Sequence, residues 1–417
     1  MKSVWKSVAL GTTVVFAVMA CGNSSTGSTT SSSPSATSSA APTATATTAA
    51  VETKSAAADL RTKLNILLGE HLIIASKATG AALGGRNDEF KAYGDLLAKN
   101  GTDIGDMIGA AYGNDAKDQF NKIWSAHNGF FVDYTVGTAT NDKAKKDKAV
   151  SDLTTVYVPQ FAKFISDATG LPVDAVTALT TTHVTTTAAI VDAQAAKDWP
   201  TAYANIRKAY AHMTKIGDPL SEAIAKKLSS KFPGDAANKG VDLRVGLNML
   251  LQEHLYLASD ATGAALGGRN DEFKAAGDAL NQNGTDIGAA IGSLYGADAA
   301  ASFNKIWSAH NGFFVDYTVG TASNDKAKKD MAVQNLTTVY VPQFAMFLAG
   351  ATGLPQDTLA QLTTTHVTTT AGIVDAQGAK DVAGAATKDR AAAQHMENIA
   401  DPLADAIVKK LPAKFAA

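Results

Sequence analysis

The residues most able to do chemistry in this chain are its histidines, and their spacing is regular. The 417 residues include eight. His71, His127, His183 and His212 recur as His254, His310, His366 and His395, each 183 positions on (254 − 71 = 183). Within each set the first three are 56 apart (127 − 71 and 183 − 127). Neutral imidazole ligates copper, zinc, iron and nickel, and helical bundles build such sites in their cores from facing helices. All eight are therefore candidate metal ligands, copper first and zinc or iron second. Glu70 and Glu253, one residue before the first histidine of each set, are candidates for an added carboxylate ligand. Asp133 and Tyr134, with Asp316 and Tyr317 in the second set, lie two turns beyond the second histidine and are candidates to orient it. Met213 and Met396 adjoin the fourth histidine and offer a soft donor suited to copper(I). The competing reading is a set of core histidines, each satisfied by a neighbouring carboxylate or carbonyl.

Other chemistries find no foothold. Cys21 is the only cysteine, so thiolate metal sites and covalent haem attachment are excluded. The paired Glu-x-x-His pattern of di-iron bundles, His-Glu-x-x-His and Gly-x-Ser-x-Gly do not occur. The glycine-rich stretch Thr79–Gly85 lacks the lysine of a phosphate loop and reads as a helix ending. A net charge of −2 gives no basic surplus for nucleic acid.

The elements that hold the histidines follow from the repeat. The constant offset means no insertion or deletion between the copies, with one running over 56–234 and the other over 239–417. Each of the first three histidines lies in a largely apolar stripe spaced by three and four, which is one face of a helix: Leu60, Leu64, Leu67, His71, Ile74 and Ala78; Phe120, Ile123, His127, Phe130 and Tyr134; Val176, Leu179, His183, Thr186 and Ile190. Polar or glycine-bearing breaks fall at 84–87, 112–115, 140–142, 170–172 and 196–198. The expectation is all-α: two tandem helical bundles, each of six helices in three stacked hairpins. Neither helix of a 56-residue hairpin can bury its stripe alone. If the hairpins pack about a common axis, the three 56-spaced histidines meet. Much of the identity between copies, including Lys-Ile-Trp-Ser-Ala-His-Asn-Gly-Phe-Phe-Val-Asp-Tyr-Thr-Val-Gly from Lys122 and again from Lys305, is what a recent duplication would leave. The sixth helix has drifted furthest: Trp199, Tyr203 and Tyr210 become Val382, Ala386 and Ala393, yet His212-Met213 and Asp218-Pro219-Leu220 persist.

The N-terminus has its own pattern. Residues 1–20 read as a signal peptide, with Lys2 and Lys6 before a short apolar run, and Val18-Met19-Ala20-Cys21 resembles a bacterial lipobox. Cys21 is the expected acylated residue, and 21–55, rich in Ser, Thr and Ala, reads as a disordered tether. The expectation is a lipid-anchored protein of the bacterial cell envelope, on the extracytoplasmic face of a membrane.

Glu70-His71, Phe130-Phe131-Val132-Asp133-Tyr134-Thr135, His212-Met213 and Ile216-Gly217-Asp218-Pro219-Leu220 together resemble a group of bacterial envelope proteins built from this helical module. Members often carry a copper-amine-oxidase label. The resemblance implies the module, the envelope location and copper. Those oxidases form a quinone from the tyrosine of an Asn-Tyr-Asp/Glu motif; no Asn-Tyr pair occurs here, and no catalytic residue is assigned. The functional expectation is transition-metal binding, and the alternative is a non-catalytic structural or cell-surface module whose partner is a protein or a cell-wall polymer.

Overall fold

The computed structural model describes residues 51–416; the expected signal peptide, Cys21 and nearly all of the tether lie outside them. Thirteen helices and no strand occur among the described residues. The first copy has α1 (Ala56–Leu83), α2 (Asn87–Tyr112), α3 (Asn114–Ala139), α4 (143–169), α5 (Val173–Ala195) and α6 (Trp199–Lys227). The second has α7 (Lys239–Leu266), α8 (Asn270–Tyr295), α9 (Ala297–Ser323), α10 (326–352), α11 (Gln356–Gly378) and α12 (Val382–Lys410), then a final turn, α13 (Pro412–Phe415). The all-α expectation of two tandem bundles is met, six helices to a copy.

The helix ends are written in the sequence. Asp142 and Asp198 cap α4 and α6, accepting from the Lys145 and Thr201 amides, and the equivalent Asp325 and Asp381 cap α10 and α12. Gly170 ends α4 at φ 83°, a left-handed conformation that side chains resist. Pro159 sits in the middle of α4. It has no N–H for the carbonyl four residues back, and the helix widens into a π turn at Asp152–Tyr157, just before it. Pro342 and Leu336–Tyr340 repeat the arrangement in α10.

Helix α1 is at the centre of its copy and is buried on nearly all sides. It is the one described helix long and apolar enough to cross a membrane, but 78% of its most apolar window is covered by protein, as expected of a core helix. Its outer face meets α7, its own repeat, while α6 packs on α8 and α12 on α2. These contacts are reciprocal, as in a two-fold dimer. Arg61 pairs with Asp242 at 2.7 Å and Arg244, its repeat, with Asp59 at 2.5 Å. Arg390 grips Glu70 through two bonds of 2.9 and 3.1 Å, and Arg207 grips Glu253 through two of 3.0 and 3.1 Å. Both copies therefore form one compact unit, which the chain already joins at Thr53, a buried residue bonded to Asp405.

Candidate metal centre

The 56-residue period does what the stripes predict. Helices α1, α3 and α5 converge, and their ring nitrogens from His71, His127 and His183 lie within 4.8 Å of one another. His254, His310 and His366 form the same group on α7, α9 and α11. All six rings are at least 96% buried. The Nε2 atoms of His127 and His183 are 3.4 Å apart, as are those of His310 and His366. Two imidazoles sharing a tetrahedral ion with bonds of about 2.0–2.1 Å have nitrogens about 3.3–3.4 Å apart. One edge of each triad thus already has ligand spacing.

Aromatic side chains wall the site. Tyr157, delivered by the π turn, stacks on His127 with ring centres 4.4 Å apart, and Trp124 lies 4.6 Å from His71. Tyr340 and Trp307 repeat both contacts at 4.4 and 4.5 Å. Trp124 fits only because Gly101 on α2 lacks a side chain: a Cβ there would stand 2.9 Å from the indole. Burial in this shell disfavours imidazolium, and the neighbouring imidazoles add to the effect. His71 and His366 are pushed down to about 3 and His183 to about 4, with His127, His254 and His310 well below the ordinary value. All six are neutral near pH 7, the state a metal requires.

Several buried polar atoms there have no partner. The Nδ1 atoms of His71, His183, His254 and His310 make no hydrogen bond. The Nδ1 of His127 faces the Trp124 carbonyl at 3.3 Å, a contact of the kind that orients a ligating imidazole. A hydrogen bond between two rings of a triad satisfies one donor and one acceptor; an ion satisfies one nitrogen from each of the three rings at once.

Other expected site residues lie elsewhere. His212 and His395 do not join the triads. Their Nε2–H groups donate to the Leu179 and Leu362 carbonyls at 2.9 and 3.0 Å. In an α-helix those carbonyls also receive the amides four residues on, those of His183 and His366. Each fourth histidine thus braces the turn that carries a triad member. Glu70 and Glu253 follow the sequence neighbour rule: adjacent helical residues point about 100° apart, so both carboxylates face the other copy and its arginine. They are bonded there, and also to Asn100 and Asn283. Asp133 and Asp316 pair with Lys145 and Lys328 near the surface. Tyr134 and Tyr317 donate to Asp192 and Asp375 on α5 and α11, so none of the four orients His127 or His310. Met213 does approach the triad, lining a small cavity with His71 and His183, and Met396 lines one with His366. The sequence reading missed Tyr157 as a neighbour of the site. The repeated Val-Tyr-Val-Pro-Gln-Phe, with a proline deep in a helix, was the available signal.

No family model, curated protein or solved structure matches the chain.

Proposed function

We propose that the protein is a metal-binding lipoprotein of the bacterial cell envelope, holding one transition-metal ion on each histidine triad and anchored through an acylated Cys21. The observation that carries the metal reading is the convergence, in both copies, of three buried neutral imidazoles with ligand spacing along one edge. Copper(I) is the ion the donors suit best. No carboxylate belongs to either group, and the desolvation cost of an ion grows with the square of its charge, so a singly charged ion in this aromatic shell is opposed about four times less than a doubly charged one. Met213 supplies a soft neighbour. Zinc(II) and iron(II) come second.

The alternative is a structural module with histidines as core. The His127–His183 contact supports it too, because 3.4 Å also suits a long N–H···N bond; against it, that bond leaves the third ring of each triad, His71 and His254, with an unpartnered buried nitrogen. The test is anaerobic copper(I) and zinc(II) titration of the untagged mature chain, with elemental analysis. One ion per triad, lost in His127→Ala/His310→Ala while far-UV circular dichroism stays helical, supports the proposal. Absence of uptake by the wild-type chain overturns it. Mass spectrometry of the N-terminal peptide from membranes tests the anchor separately.

A further inference from the structure

A cleft of about 910 Å³ runs between α2 and α3 and ends on the first triad, whose three histidines all line it. Small-molecule sites span about 300–1,000 Å³. The walls are mainly Ala, Gly, Leu, Phe and Val, and the one charged lining residue is Lys122, which is exposed. At the inner end, the Thr187 hydroxyl and the Nδ1 atoms of His71 and His183 are buried without partners.

Two observations mark this cleft as a site. Gly94 on α2 and Gly129 on α3 both line it, and a Cβ built at either would meet nothing within 4 Å. Their repeats, Gly277 and Gly312, are glycines with the same open surroundings. Glycine weakens a helix interior relative to alanine, so neither packing nor helix propensity accounts for four of them. Keeping a cleft open does. The second observation is the lining itself. Of its 28 residues, 26 recur 183 positions on, the exceptions being Ala98/Asn281 and Thr140/Ser323. The recurrence includes Asn87 and Thr102, both exposed, so free of core constraint, and outside the identical Lys122–Gly137 stretch. Outside the cleft the exposed residues of α2 and α3 are mixed: Asp106 and Asp118 have become Ala289 and Ala301, while Lys91 and Asp95 recur as Lys274 and Asp278.

We infer that this cleft, and the matching region over the second triad, binds a small uncharged ligand with an apolar body and one polar head, the head meeting the histidines. The inference builds on the metal-site reading for the head's partner, a bound ion; the apolar walls act with or without it. An anionic ligand is disfavoured, because no buried cation lines the cleft.

The test is calorimetric titration of the full chain, metal-free and copper(I)-loaded, with 1-propyl-, 1-pentyl- and 1-heptylimidazole above about pH 8, where an imidazole is neutral. Affinity is expected to rise about fourfold per methylene until the cleft is full. Gly94→Leu/Gly277→Leu is expected to keep the metal content and melting temperature while weakening the heptyl probe at least about tenfold. Gly129→Leu/Gly312→Leu blocks the opposite wall if the first pair folds poorly. Affinity independent of chain length, or a leucine variant that binds as wild type, overturns the inference. A wild-type chain that takes up no metal strikes the metal reading instead, and the metal-free series still decides the cleft.

Discussion

Acidifying the metal-free chain tests the buried triads directly. In the unfolded chain each histidine takes up a proton near its ordinary value of about 6.5. In the folded chain His71 and His366 do so only at about 3 and His183 at about 4, because burial and the adjacent imidazoles oppose the charge. Between those limits the unfolded state holds more protons, so stability falls as pH falls; above about pH 7 these groups contribute no pH dependence. The slope is about 1.4 kcal/mol per pH unit for each histidine. By pH 4.5 these three alone remove roughly 8 kcal/mol, about 2.6 each. His127, His254 and His310 shift in the same direction and add to it. Domain stabilities are about 5–15 kcal/mol, so the metal-free chain is expected to unfold between about pH 6 and 4. The assay is far-UV circular dichroism against pH, with histidine ring resonances followed by NMR. Copper(I), binding the folded state, should move the acid midpoint down. Ring resonances that titrate near 6.5 in the folded protein, or denaturant stability unchanged from pH 7 to 5, would refute the reasoning.

Three further outcomes are expected. Arg390→Ala leaves Glu70, 1% exposed, without its cation; urea unfolding should show a loss of about 3–5 kcal/mol, mostly recovered when Glu70→Gln/Arg390→Met removes both charges. Lys77→Asp sets a third carboxylate beside Asp260 and Asp389 and should lower the melting temperature sharply, whereas the swap Lys77→Asp/Asp260→Lys restores much of it. Gly101→Ala, driven into Trp124, should destabilise by about 1–3 kcal/mol, while Gly94→Ala, with open space, should stabilise by up to about 1 kcal/mol; equal effects in thermal melts would contradict the packing described.

The triads were legible because a period is a geometric statement. Residues 56 apart occupy the same register on the first helix of each hairpin, so any packing about a common axis brings His71, His127 and His183 together. His212 breaks that period, being 29 after His183, and it also breaks the geometry by bonding a backbone carbonyl of α5. Its persistence in the most changed helix has a local reason, the brace under His183. Asp218 persists for a similar reason, accepting from Arg61 and Asn65 at 2.8 and 2.9 Å. What no single-copy pattern reveals is the surface between copies. Glu70 resembled a ligand by sequence adjacency, while its partner, Arg390, lies 320 residues away. The drift of α6 likewise has its cause across that surface. Tyr210 in fact packs on the second copy, donating to the Met249 carbonyl at 2.9 Å.

That drift is complementary, and it bears on what the functional unit is. Lys77 and Asp260 are repeats of one another (77 + 183 = 260), and they meet at 2.5 Å near the pseudo-two-fold axis. Two first copies would set lysine against lysine there, and two second copies aspartate against aspartate. Asp389 accepts from the Tyr93 hydroxyl at 2.6 Å and lies 3.4 Å from Lys77. Its repeat partner is Ile206, and that of Tyr93 is Ala276. A pair of first copies would therefore bury the Tyr93 hydroxyl facing isoleucine, and a pair of second copies would bury Asp389 with neither tyrosine nor lysine, each an unsatisfied polar group of substantial cost. Neither copy can pair with itself as it pairs with the other. The surface between them has specialised into two unlike halves, while the triads and the cleft lining have stayed alike. A joint made of unlike halves, beside triads and a cleft lining kept alike, is the pattern expected of selection on a linked pair of equivalent sites.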